Sequence, residues 1–128
     1  MFQDSTAFSS FAVDDLGAAK RFYGKTLGFP VQEHMDGQIV DVTLPGGDSH
    51  VMIYPKDDFE PATYTVLNFP VRDVGRAVDE LTKQGVSMAR FDGFDQDGRG
   101  IARGQGPDIA WFRDPAGNIL SVVQDDTM

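Results

Sequence analysis

The sequence predicts an α+β fold, built as two tandem βαβββ modules that form a curved, cup-like mixed sheet with the helices outside. Three observations carry this. First, one nine-residue pattern occurs twice, as FAVDDLGAA (Phe11–Ala19) and FPVRDVGRA (Phe69–Ala77), just under half a chain length apart in 128 residues. A repeat at that spacing signals two copies of one supersecondary unit. Second, each copy stands between a strand-like run and a helix-like run. Third, the chain holds 14 Gly and 7 Pro, and its acids are mostly Asp, a bias toward strands and turns.

In the first copy, Ala7–Val13 is a β-leaning run. Asp14 or Asp15 stands where an N-cap belongs, with a carboxylate able to accept free backbone N–H groups. Leu16, Ala19, Tyr23 and Leu27 then lie on one helical face, and Gly28 marks the stop. Strand candidates follow at Phe29–Met35, Gln38–Leu44 and His50–Tyr54, separated by the turns MDGQ and PGGD. The second copy reads alike. Tyr64–Val71 is a strand, Asp73 caps a helix with Val74, Ala77, Val78 and Leu81 on its apolar face, and Gly85 ends it. Val86–Phe91, Ile109–Phe112 and Asn118–Val123 are the later strands. Between the copies, YPKDDFEPA (Tyr54–Ala62) reads as a linker. One domain therefore spans 1–128, with module 1 at about 6–55, the linker at about 56–63 and module 2 at about 64–125. Each half covers only one sheet face with its helix, so two halves side by side enclose a shared cup.

Composition bounds the function. With 20 acids against 11 bases the net charge is −9, which argues against phosphate-backbone binding and so against a nucleic-acid partner. No stretch approaches the roughly 18 apolar residues of a membrane span. Cysteine is absent, so disulfides, thiolate metal sites and cysteine nucleophiles are excluded. The opening MFQDSTAFSS lacks a basic region followed by an apolar run, and the expected location is cytoplasmic.

Two motifs carry a resemblance. VDDLGAAKRFYGKTLGF (Val13–Phe29) resembles the opening of vicinal oxygen chelate proteins, the superfamily of glyoxalase I, extradiol dioxygenases, fosfomycin-resistance enzymes and bleomycin-binding proteins. FRDPAGNILSVVQ (Phe112–Gln124) resembles its closing signature. Locally, Asp114–Asn118 is a tight turn that aims the last strand, and Leu27-Gly28-Phe29 is a helix stop followed by a strand start.

The resemblance implies that catalytic members hold one divalent metal through His, Gln or Glu on the first and last strand of each half. Carried over, the first-strand positions fall on Phe8 and Val66, the last on Ser121, and the fourth on Val51 or Met52. Phe and Val have no donor atom, a Ser hydroxyl is a poor ligand, and Met favours soft metals. His34 lies on the second strand candidate, away from the ligand strands, and His50 stands beside the ambiguous fourth position. Nothing in the sequence puts both histidines on one face, as a two-histidine, one-carboxylate site requires. The expectation is a metal-free member with no cofactor and no assigned catalytic residue.

The acidic loop FDGFDQDGRG (Phe91–Gly100) does not fit a calcium loop. Aligning Gly98 on the invariant glycine leaves Gly93 and Gly104 at the two end-ligand positions. GRGIARGQG (Gly98–Gly106) lacks the strand–turn–helix setting of a dinucleotide fingerprint. Both read as a solvated, mobile segment bordering the cup, placed to act as a lid.

The expected activity is binding of a small molecule, apolar or cationic, in a cup lined by Phe8, Ser10, His50, Met52, Val66, Asn68, Arg103, Trp111 and Ser121. Alternation sets Ser10 beside Phe8 and Asn68 beside Val66. Packing alone, with Phe8 and Val66 filling the cup, is the competing reading. A metal-dependent lyase or dioxygenase using a site rebuilt near His50 is the alternative function. The resemblance also implies a homodimer, with the cup formed within one chain or across two.

Overall fold

Two aspartates start the two helices, and both do so in the same way. Asp15 accepts a hydrogen bond from the Ala18 amide at 3.0 Å, and Asp73 accepts one from the Arg76 amide at 3.1 Å. Each satisfies a first-turn N–H that has no partner within the helix. The structure, a computed structural model, describes residues 1–128 and divides into two compact units, Met1–Glu60 and Pro61–Met128.

The first unit runs β1 (Ser9–Val13), α1 (Leu16–Arg21), β2 (Val31–His34), β3 (Ile39–Thr43) and β4 (His50–Pro55). Its strands lie in the order β1-β4-β3-β2, parallel between β1 and β4 and antiparallel elsewhere. Alternation sends Val40 and Val42 of β3, and Val51 and Ile53 of β4, to the buried face, against which α1 packs. The predicted helical face is present but not regular. After Arg21 the chain widens into one π-helical turn, Phe22–Thr26. The wider turn brings two consecutive aromatics inside: Tyr23 is 0% exposed, and Phe22 meets its ring edge at 5.1 Å. Leu16 and Leu27 are only half-buried. Gly28, at φ 79°, ends the segment in the left-handed region that favours glycine.

The second unit runs β5 (Thr65–Val71), α2 (Val74–Lys83), β6 (Met88–Ala89), β7 (Ile101–Ala102), β8 (Ile109–Arg113) and β9 (Ile119–Gln124). The order β5-β9-β8-β6 repeats that of the first unit, again with one parallel pair, β5 and β9. Pro70 is accommodated because β5 is an edge strand. Val74 and Val78 of α2 are buried, as are Leu67, Ala110, Phe112, Leu120 and Val122 of the strands. Gln124 ties the start of α2 to β9, accepting from the Val74 amide at 3.0 Å and donating to the Arg72 carbonyl.

The strand expected over Val86–Phe91 shrinks to the two residues of β6, and β7, which the sequence did not signal, takes a further stretch of the same edge. β6 pairs with Phe112 and Trp111, and β7 pairs with Ala110 and Ile109, along the same side of β8. The acidic loop leaves the sheet between them and is tied down rather than free. Gln96 accepts from the Phe91 amide at 2.8 Å and donates to the Ala89 and Gly100 carbonyls at 3.0 and 2.8 Å. Asp97 accepts from the amides of Arg99 and Ile101 at 2.9 and 3.0 Å.

The turn between β8 and β9 explains the closing motif. Asp114 and Asn118 are buried, and Asn118 donates its backbone N–H to Asp114 Oδ1 at 2.8 Å and its amide to Oδ2 at 3.2 Å. A buried carboxylate needs such donors. The fold is thus α+β with two mixed sheets. No helix is long and apolar enough to cross a membrane.

Candidate functional site

In the first unit the sheet face turned away from α1 carries the polar residues. Strand pairing lines up Ser10, Met52, Asp41 and Gln32 across β1, β4, β3 and β2. Val51 is fully buried on the opposite face. Of the two sequence candidates for the fourth position, Met52 is therefore the one on this polar face. His50 lies opposite Thr43, and His34 lies opposite Ile39, each one step along the face from Asp41.

This register brings together what the sequence left apart. Both histidines share the face, and the Asp41 carboxylate lies between them. His50 Nδ1 is 2.9 Å from Asp41 Oδ1, and His34 Nε2 is 3.5 Å from Oδ2. Phe8 stacks on His50, with ring centroids 5.4 Å apart and an interplanar angle of 20°, yet remains 56% exposed. Sequence reasoning set His34 aside as lying away from the ligand strands and missed Asp41 altogether. The alternation I-V-D-V-T in β3 pointed Asp41 to the polar face, but only the hairpin register matches it with His34.

The second unit is different. Its corresponding row is Asn68, Ser121, Trp111 and Ala89. Ser121 is 0% exposed and donates its hydroxyl hydrogen to Asn68 Oδ1 at 2.6 Å. Trp111 lies under the acidic loop, with the rings of Phe94 and Phe91 at 4.8 and 5.5 Å, and is 7% exposed. Arg113 stands over the other ring, 5.1 Å from the Phe91 centroid. The loop thus covers Trp111 with hydrocarbon. Val66 sits at a slip in the ladder: Thr65 pairs with Ile119 and Leu67 with Leu120. Simple alternation therefore no longer matches Val66 to Asn68, because a bulge adds one residue to the strand. Arg103 is engaged by two carboxylates, Asp97 and, at 3.4 Å, Asp108. Their charges, led by the hydrogen bond to Asp97, raise its pKa from the ordinary arginine value.

Phe8 and Val66 have no lone pairs to offer, and the Ser121 hydroxyl is committed to Asn68. In the His34–Asp41–His50 cluster each oxygen of the single carboxylate faces an imidazole nitrogen, at 2.9 Å from His50 Nδ1 and 3.5 Å from His34 Nε2, so the three side chains face one another. No group of three His, Asp or Glu side chains is arranged to hold a metal ion. Phe8, Val66 and Ser121 therefore do not supply the donor set that the sequence resemblance implies for a divalent metal.

Comparison with known proteins agrees with the fold. Residues 4–122 match the family model described as the Glyoxalase/Bleomycin resistance protein/Dioxygenase superfamily. Among solved structures, a member of that superfamily from Sphaerobacter thermophilus DSM 20745 is 26% identical, with a TM-score of 0.67 over 94% of this chain and 98% of that one. An antibiotic binding protein from Streptomyces sp. CB03234 is 25% identical, with a TM-score of 0.66 over 93% of this chain and 95% of that one. A glyoxalase/bleomycin resistance protein from the same organism is 25% identical, with a TM-score of 0.62 over 92% of this chain and 100% of that one. No curated protein matches the chain.

Proposed function

Because the chain belongs to the glyoxalase/bleomycin resistance protein/dioxygenase superfamily, we propose that it is a small-molecule-binding member that works without the superfamily's metal. The observation that carries this is the chemistry of the ligand positions. Phe8, Val66 and Met52 replace donors with hydrocarbon and a thioether, and the remaining hydroxyl, on Ser121, is used internally. An exposed aromatic beside hydrogen-bonding side chains is the composition of a binding surface. Phe8, Ser10, His50 and Met52 form it on the first unit. The likeness to an antibiotic binding protein supports sequestration of a small molecule, and the exposed Phe8 ring favours an apolar one. The net charge of −9 favours a cationic one through long-range steering. A cytoplasmic homodimer completes this reading, and light scattering of the purified protein tests the dimer.

The test of function pairs two measurements. Melting temperature is read across a library of small aromatics and antibiotics, and bound Ni, Zn, Mn and Fe are quantified before and after metal loading. The expected result is stabilisation by a subset of compounds, about 2.7 kcal/mol at a ligand concentration of 100 Kd, with no stoichiometric metal. Stoichiometric metal overturns the metal-free reading. A library in which no compound raises the melting temperature overturns the binding reading.

A further inference from the structure

The Asp41–His50 contact fixes which nitrogen of His50 is available. An ionised carboxylate only accepts hydrogen bonds, so at 2.9 Å His50 Nδ1 carries the hydrogen. In the neutral ring the lone pair is then on Nε2, and no protein atom pairs with Nε2. The second oxygen of Asp41 faces His34 Nε2, which is buried without a hydrogen-bond partner. The carboxylate is therefore flanked by imidazoles on both sides, and the groups facing His50 from the neighbouring strands are Asp41, Thr43 and Phe8.

This arrangement has three consequences for a ligand. It must offer a hydrogen, because His50 Nε2 accepts. It must offer a flat apolar surface, because the exposed Phe8 ring lies alongside the imidazole and Met52 continues the same face. It needs no positive charge to engage this point, because both oxygens of Asp41 already face imidazole nitrogens. A phenolic hydroxyl meets all three conditions. We propose that Phe8, His50, Asp41 and His34 form a site for hydroxylated aromatic compounds, in which His50 Nε2 accepts the phenolic hydrogen and Phe8 stacks on the ring. Asp41 acts as a positioning residue through His50. This assignment rests on the small-molecule-binding reading above and adds the chemical class.

The experiment uses three probes of one ring system: 2-naphthol, 2-methoxynaphthalene and naphthalene, titrated into the full chain. The expected result is at least ten-fold tighter binding of 2-naphthol than of the other two. His50→Phe keeps a flat ring for Phe8 but removes the acceptor. It abolishes the preference while leaving binding of 2-methoxynaphthalene within about two-fold. Ring-nitrogen NMR of His50 supplies a readout independent of affinity: the free protein shows the Nδ1-protonated tautomer, and the Nε2 resonance shifts on adding 2-naphthol. Equal affinity for the three probes, a preference that survives His50→Phe, or the opposite tautomer each overturns the proposal. If no naphthalene binds but other library compounds stabilise the protein, the phenol assignment fails and the binding reading stands. If nothing stabilises it, both fail.

Discussion

Ser121 and Asn68 form a hydrogen bond whose two ends live in different solvents: the serine is 0% exposed, and the asparagine is exposed on the neighbouring parallel strand. Removing either end breaks the same bond but leaves different orphans. Ser121→Ala frees an amide that water can satisfy, at about 0.5–1.5 kcal/mol. Asn68→Leu strands a buried hydroxyl, at about 1–3 kcal/mol. Urea denaturation of the two variants is expected to rank Asn68→Leu as the more damaging. Equal losses would show that the serine finds another partner.

The buried Asp114 carboxylate organises the β8–β9 turn by accepting from both amides of Asn118. Asp114→Ala leaves those donors buried, and a loss of about 1–3 kcal/mol is expected. Asp114→Asn keeps one acceptor and recovers part of it. The check is the urea midpoint of both variants, and an alanine variant as stable as the parent contradicts the account.

Asp97 makes the acidic loop sensitive to acid. The Ile101 amide first, then the Arg99 amide and the Arg103 guanidinium, lower its pKa from the ordinary 3.8. A depressed folded value means that the carboxylate's contribution is complete above pH 3.8 and is lost as pH falls through the lowered value. Hydrogen exchange is expected to show protection of the Arg99 and Ile101 amides failing in that acid range. In Asp97→Ala the protection is already low at neutral pH. Retention of the acid step in that variant would assign it to another group.

The chain has a single tryptophan, so its emission reports on the loop alone. Phe94 is 46% exposed, with its ring 4.8 Å from Trp111. Phe94→Ala is expected to red-shift the emission and raise acrylamide quenching, with a small change in stability. Unchanged emission would mean that Phe91 and the sheet suffice to shield the indole.

Much of this architecture was legible in local signals. The two cap aspartates, the glycine stops and the alternation of β3 and β4 each follow from chemistry within a few residues. Three features were not. The π-helical turn depends on burying Phe22 together with Tyr23, which a regular helical period does not anticipate. β7 is two residues long and exists only because β8 offers an unpaired stretch. The pairing of His34 and His50 with Asp41 depends on hairpin register, and register belongs to tertiary packing. For the same reason the second unit's row holds a packed Trp111, where the sequence offered only a lining residue.

In both units the opening strand has the closing strand as its neighbour: β1 lies beside β4, and β5 beside β9. Parallel partners of this kind are distant in sequence, so each ladder closes a longer loop than the hairpins that carry its last strand. On the ribosome, Ser9–Val13 must wait for His50–Pro55 to emerge. Glu60 then closes a segment that already holds its own sheet and its own valine core. The Phe8–His50 stack spans that same long closure, so it cannot exist until the chain has been made as far as β4.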